Sequence, residues 1–179
     1  IGSAMLGEAN ISSLLAQEDL IEPQQIISTD LLKSRLAQLR KQYAIRTTSD
    51  NAEAAAEAQV VVLAIKPQIL PKVMPQIQGI LRPNALLVSI IAGTTINTLS
   101  NGVAHDAIVR SMPNTPAQIG EGMTVWTCTN KVSQKQKAQA RAIFQSLGKE
   151  IYIADEHYLD IAVAVSGSGP GYIFLMLES

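Results

Sequence analysis

Gln59-Val60-Val61-Val62-Leu63-Ala64-Ile65 is a continuous apolar run, rich in β-branched residues, that stops at Lys66-Pro67. A strand with one wet face alternates apolar and polar residues; an unbroken run is expected of a strand covered on both faces, such as a central strand of a parallel sheet. The sequence upstream repeats the pattern. Residues 4–16 carry Leu6, Ala9, Leu14 and Leu15 at spacings suited to a helix packed on a sheet, behind a strand end at Ile1-Gly2. Residues 24–28 read as a short strand, Asp30 as the cap of a helix reaching about Tyr43, and Asp50 as the cap of another through Ala58. Downstream, helical spacing resumes with Ile69, Leu70, Val73 and Ile77, in a helix that Pro71 and Pro75 bend or shorten. Residues 86–91 and 107–111 are the next buried strands. Ser133 with Gln136 forms a capping box, Ala140, Ile143, Phe144 and Leu147 make one apolar stripe, and Gly148 supplies the stop. A last strand spans 150–153, and Asp155-Glu156-His157 opens a further helix at a candidate domain boundary. Strands alternating with helices imply an α/β fold, a doubly wound and mainly parallel sheet.

Composition narrows the function. With 179 residues, 47% of them hydrophobic, the chain can build one substantial core. A net charge of -1 and 4% aromatic residues provide no electrostatic footprint for nucleic acid, so no nucleic-acid partner is expected. No apolar stretch approaches the roughly 20 residues of a membrane helix, and no basic-then-apolar leader is visible, so no membrane partner is expected either. The single cysteine, Cys128, sits in the strand-like run 123–129 and reads as a buried small hydrophobe, which fits a reducing, cytoplasmic setting. The chain opens on Ile1 without a methionine and closes inside an apolar helical pattern, so both ends read as cut.

In a doubly wound sheet ligands lie outside the carboxyl ends of the strands. Gly2, Ala4 and Gly7 occupy the three positions of a Rossmann dinucleotide fingerprint, with alanine where the second glycine lets the backbone approach a pyrophosphate. The helix that follows offers N–H groups and a dipole that favour phosphate. Ser28-Thr29-Asp30 ends the second strand, where an adenosine ribose is read. Asp30 accepting from a 2′-hydroxyl favours NAD, Ser28 and Thr29 donating to a 2′-phosphate favour NADP, and Asp30 acting only as a helix cap is the third reading. Lys66 either projects over the ligand edge or is an ordinary solvated lysine. Ala92-Gly93 offers small side chains where a flat ring can lie against backbone. Arg110-Ser111-Met112-Pro113-Asn114-Thr115-Pro116 turns an apolar strand into a rigid corner, either a tight turn alone or one that presents the Asn114 amide and Thr115 hydroxyl to a nicotinamide. Ser166-Gly167-Ser168-Gly169-Pro170 exposes backbone N–H groups ahead of an apolar helix, a place for a substrate carboxylate or else a linker. There is no Ser-His-Asp set, paired-carboxylate site or metal-spaced cluster, and neither His105 nor His157 receives a role.

Taken in order, Ile1-Gly2 with Gly7-Glu8-Ala9, Ala64-Ile65-Lys66-Pro67, Ile91-Ala92-Gly93, Met112-Pro113-Asn114-Thr115-Pro116 and Ser166-Gly167-Ser168-Gly169-Pro170 resemble the pyrroline-5-carboxylate reductases. The resemblance implies an oxidoreductase that prefers NADPH, with NAD as the second option. Its substrate would be a small cyclic imine carboxylate, 1-pyrroline-5-carboxylate, reduced to L-proline in the last step of proline biosynthesis. The resemblance places the dinucleotide against Gly2, Ser3, Ala4, Met5 and Leu6, against Thr29 and Asn51 on the adenosine side, and against Ala64, Lys66, Pro67, Ala92 and Gly93. The nicotinamide would meet Asn114, Thr115 and Pro116, with Asn114 and Thr115 aligning it with the substrate. Ser166, Gly167, Ser168 and Gly169 would grasp the substrate carboxylate. Asn51 rests on the resemblance alone.

The resemblance also divides the chain into an NADP-binding domain over 1–154 and, over 155–179, the start of a helical substrate and dimerisation domain. It implies a homo-oligomer, dimer or higher, for the full-length protein. Two departures stand out: Ala4 replaces a family glycine, and the family's later Gly-Gly-x-Thr segment is absent. The polypeptide as it stands is therefore expected to bind cofactor and to turn over poorly or not at all. Two other readings remain open at this point. A β-hydroxyacid-dehydrogenase-like reductase would use a lysine on its helical domain, and no lysine follows Lys149. The other is a catalytically incomplete NADP-binding module.

Overall fold

Parallel strands need crossover connections, and the chain supplies helices between nearly every pair of strands. The computed structural model describes residues 5–17, 21–162, 164–165 and 169–178. In chain order the elements are α1 (Met5–Leu15), β1 (Ile27–Thr29), α2 (Lys33–Tyr43), β2 (Arg46–Thr48), α3 (Asn51–Glu57), β3 (Val60–Leu63), α4 (Leu70–Ile77) and β4 (Leu86–Ser89). They continue with α5 (Ile96–Val103), β5 (Ile108–Pro113), β6 (Gly122–Cys128), α6 (Gln134–Ser146), β7 (Gly148–Tyr152), α7 (His157–Ala162) and α8 (Gly169–Leu177).

β3 to β7 form one sheet in sequence order, and β1 pairs with β2 in a second. Every ladder is parallel except β5–β6. The link from Pro113 to Gly122 is shorter than the dozen or more residues a parallel crossover needs, so the chain reverses there. The unbroken apolar strands divide their side chains between two layers, as a period of two requires. Leu63, Leu87 and Ile108 pack with Val73 and Ile77 of α4 and Leu99 of α5. Leu86, Val88 and Val109 pack with Trp126 and, from α6, Ala140 and Phe144. β4 is buried along its whole length, but β3, first in the order of its sheet among the described residues, has Val61 and Leu63 buried and Val60 and Val62 only half-buried, so the run at 59–65 is not the central strand that its lack of alternation suggests.

The caps expected at Asp50 and Ser133 are present. Asp50 accepts from the Ala52 and Glu53 N–H groups, and Ser133 and Gln136 bond reciprocally. The Asp30 cap is not. Helix α2 starts at Lys33 with Leu32 in the cap position, and the Asp30 carboxylate instead accepts from the Leu32 N–H at 2.9 Å. A short Asp side chain reaches its own backbone two residues on, which makes a turn ahead of the helix rather than its cap. The strand expected at 24–28 is shifted, because Pro23 opens a 3-10 turn over Pro23–Gln25 with Gln25 bonded back to the Glu22 N–H. At 107–111 the strand runs on into the corner, where Met112 and Pro113 face Val125 and Thr124. Pro71 and Pro75 leave α4 eight residues long. Cys128, expected to be buried, is half-buried because β6 ends on it.

Helix α1 is tied to α2 by Glu8, which accepts from Arg35 at 2.5 Å and from the Tyr43 hydroxyl at 3.0 Å. The Arg35 hydrogen bond holds the Glu8 carboxyl below its ordinary 4.5, against burial, which raises it, and Tyr43 lowers it further. Burial, then Glu8, pushes the Tyr43 phenol up from 10.0. Because the folded value of Glu8 is depressed, its stabilisation is complete above the ordinary carboxylate range and is lost as pH falls through the folded value. Glu8→Gln is expected to lower the unfolding free energy by about 1 kcal/mol at neutral pH. Urea titrations should show that difference closing as pH falls below the ordinary carboxylate range.

Candidate active site

Because β3, β4 and β5 are adjacent and parallel, their carboxyl ends emerge side by side, and three of the loops singled out above leave from that edge. After β3, Ala64 is buried while Lys66 and Pro67 are exposed, Lys66 preceding a 3-10 turn over Pro67–Ile69. After β4, Ala92 is half-buried and Gly93 is exposed with φ +67, and no atom lies within 4 Å of where its Cβ would stand. That left-handed backbone favours glycine, and the space beside it is open.

After β5 the corner itself is built by Asn114. Its side-chain Oδ1 accepts from the Met123 N–H at 2.8 Å, and its carbonyl accepts from the Ala117 N–H at 3.1 Å, opening a 3-10 turn over Thr115–Ile119. Pro113 closes β5, Pro116 sits in the turn, and Thr115 is exposed. This turn packs beneath α1, where Ala117 meets Ala9 and, from the end of α6, Leu147. The helix that follows the glycine-containing entry segment therefore lies on the Asn114 corner. Met5 opens α1 with Leu6 beside it, while Gly2, Ser3 and Ala4 fall outside the described residues.

At the end of β1, Thr29 and Asn51 come together. The buried Thr29 hydroxyl donates to Asn51 Oδ1 at 2.6 Å, Asn51 Nδ2 donates to Gln76 Oε1 at 2.9 Å, and Gln76 Nε2 donates to the Lys72 carbonyl at 2.8 Å. The Thr29 proton is thus directed to Asn51, and in this arrangement the buried Thr29 hydroxyl is not the donor to a 2′-phosphate that the sequence reading allowed. Reading from the residues alone passed over Asn51 and Gln76. Asn51 sits in a helix's first turn and Gln76 in another helix, and only packing of α3 beside β1 and α4 brings them to Thr29.

Of the carboxylate turn, Gly169 begins α8, and Ser166, Gly167 and Ser168 lie outside the described residues. His105 is buried with its ring nitrogen 2.8 Å from the Ala85 carbonyl oxygen, away from the strand ends just described, and His157 is exposed. Among the described residues no group of three His, Cys, Asp or Glu side chains could hold a metal ion, and no helix is long and apolar enough to cross a membrane. Arg110 is likewise given no role by sequence reasoning, and it is buried in β5 against Glu156 and Asp160. The signal was available as a charged residue inside an otherwise apolar buried strand.

The geometry can be set against known proteins. Residues 1–93 match the model of the NADP oxidoreductase, coenzyme F420-dependent family. Along its whole length the chain is 39% identical to the pyrroline-5-carboxylate reductase of Synechocystis, of which it covers 66%. The chain belongs to the pyrroline-5-carboxylate reductase family. The structure of a pyrroline-5-carboxylate reductase from Coxiella burnetii superposes over 99% of the chain and 66% of that protein, with a TM-score of 0.91 and 31% identity. The Plasmodium falciparum pyrroline carboxylate reductase, solved with NADP bound, superposes over 99% of the chain and 64% of that protein, with a TM-score of 0.84 and 31% identity. The chain thus spans about two thirds of the length of these reductases. The fold expected from alternating strands and helices is the reductase fold of these structures.

Proposed function

We propose that the protein is an NADPH-dependent reductase of 1-pyrroline-5-carboxylate, giving L-proline at the end of proline biosynthesis. The observation that carries the reading is the Asn114 corner, held by Met123 at the carboxyl end of β5, level with the open Gly93 loop and docked on α1. The described residues fit a dinucleotide: an open glycine loop for the ring, and buried polar groups at the end of β1 for the adenosine. NADPH, when bound, supplies the hydride.

In this reading the chain contributes position. Thr29 and Asn51 hold the adenosine side, Ala64, Lys66 and Pro67 border the phosphates, and Ala92 and Gly93 lie under the nicotinamide. Asn114, Thr115 and Pro116 wall it on the other side. Ser166, Gly167, Ser168 and Gly169 hold the substrate carboxylate through backbone and hydroxyl donors. The imine nitrogen takes its proton from solvent, so alignment is the chief requirement, and alignment alone can account for about 7 to 11 kcal/mol of a barrier.

Residues 1–154 form the NADP-binding part, and 155–179 begin a helical substrate and dimerisation part. In this reading the full-length protein is a homo-oligomer, dimer or higher. A cytoplasmic setting is consistent with a single, unpaired cysteine. Following NADPH oxidation with pyrroline-5-carboxylate, on this chain and on a version extended to the length of its relatives, tests the activity. Turnover by the extended version is expected; turnover of a 3-hydroxyacid instead would sink the reading. Fluorescence titration should show tighter binding of NADPH than of NADH, and equal affinity would defeat the NADP preference.

A further inference from the structure

Thr29, Asn51 and Gln76 form a chain of hydrogen bonds whose direction is set at one end. A backbone carbonyl has no proton to give, so the Gln76 atom 2.8 Å from the Lys72 carbonyl oxygen is the amide nitrogen, Nε2. That turns Gln76 Oε1 toward Asn51, where an oxygen at 2.9 Å requires a donor, Nδ2. Asn51 Oδ1 is thereby turned to the Thr29 hydroxyl, which donates at 2.6 Å. One main-chain acceptor on α4 thus orders side chains of β1, α3 and α4.

The order decides what the end of β1 can offer a ligand. Thr29 is 1% exposed and its single side-chain proton is spent on Asn51. Asn51 is 8% exposed, and its Nδ2 carries a second hydrogen beyond the one given to Gln76. Gln76 is exposed while Thr29 is buried, so the NH2 end of the Asn51 amide lies on the outer side of the chain and its oxygen on the inner side. A reversed amide would put an acceptor there, which cannot bond the oxygens of a phosphate. In a doubly wound sheet the adenosine ribose is read at the end of this strand. We infer that Gln76 is a positioning residue: it keeps the donor end of Asn51 turned to the 2′-phosphate of the cofactor and thereby sustains the preference for NADPH over NADH. Gln76 acts through Asn51, and the inference rests on the functional reading given above.

Fluorescence titration of NADPH and of NADH, in the protein at the full length of its relatives, tests it. Gln76→Met removes both amide groups from an exposed helical position without adding a charge, so the fold is kept. It is expected to weaken NADPH binding about tenfold, the worth of one hydrogen bond to a charged group, while NADH affinity holds. A double-mutant cycle assigns the loss to Asn51, since adding Gln76→Met to Asn51→Ala should weaken NADPH binding no further. If Asn51→Ala does not fold, the ratio of NADPH to NADH affinity in Gln76→Met decides alone. An unchanged ratio in Gln76→Met, or losses that add in the double variant, would overturn the inference while leaving the reductase reading standing, because imine turnover is measured separately. Equal affinity for the two cofactors in the unsubstituted protein would remove the inference together with the NADP preference.

Discussion

Gly148→Ala is expected to lower the unfolding free energy by about 3 to 5 kcal/mol, a large share of what a domain of this kind possesses. Two independent costs meet at this residue. Its φ of +134 lies in a region that L side chains rarely adopt. A Cβ there would also land on the carbonyl oxygen of Gly122 and within 2.5 Å of its nitrogen. Neither atom can yield, because Gly122 and Gly148 are register partners at the start of β6 and β7, and the Gly122 N–H is bonded to the Leu147 carbonyl at 2.8 Å. Gly79→Ala separates the two costs. Gly79 has φ +70 but no atom within 4 Å of its Cβ position, so only the conformational term, about 1 to 2 kcal/mol, is expected there. Urea or thermal unfolding of the two variants checks the ranking. Equal losses would show that the close backbone approach at Gly148 contributes nothing.

Asn114→Ala is expected to reduce kcat by about 10²-fold in the full-length enzyme while NADPH affinity changes only a few-fold, because a displacement near 1 Å is enough for such a loss. The side chain has a structural task as well, since its Oδ1 accepts from the Met123 N–H and ties the corner to β6. Asn114→Asp keeps an acceptor for that N–H and changes the other half of the amide. Stopped-flow or steady-state rates as slow as those of Asn114→Ala would place the effect on the nicotinamide side. Recovery of the rate in Asn114→Asp would reduce Asn114 to a turn residue. A loss confined to NADPH binding would contradict the assignment.

Much of the fold was legible before any coordinates. Asp50, Ser133 with Gln136, and Pro67 act within one turn of the chain, and local signals of that kind do not depend on distant partners. The apolar run at 59–65 was readable as a strand, while its place at the end of the five-stranded order was not. Asp30 misled for the same local reason, since an aspartate ahead of a helix can either cap it or fold back on its own backbone, and both look alike in sequence. The loops at the strand ends were legible as a set, while the partners their side chains take were not. Thr29 meets Asn51 across 22 positions, and Arg110 meets Glu156 and Asp160 across 46 and 50.

By itself the sequence determined the alternation of strands and helices, the caps and stops, and the family, since periodicity and short motifs are written in neighbouring residues. The tertiary structure alone decided that Gly148 must stay a glycine because of Gly122, that Asn114 braces β6, and that a buried arginine ties β5 to α7. Each of these is a contact between segments that crossover helices bring together, and no local period encodes where a crossover returns the chain.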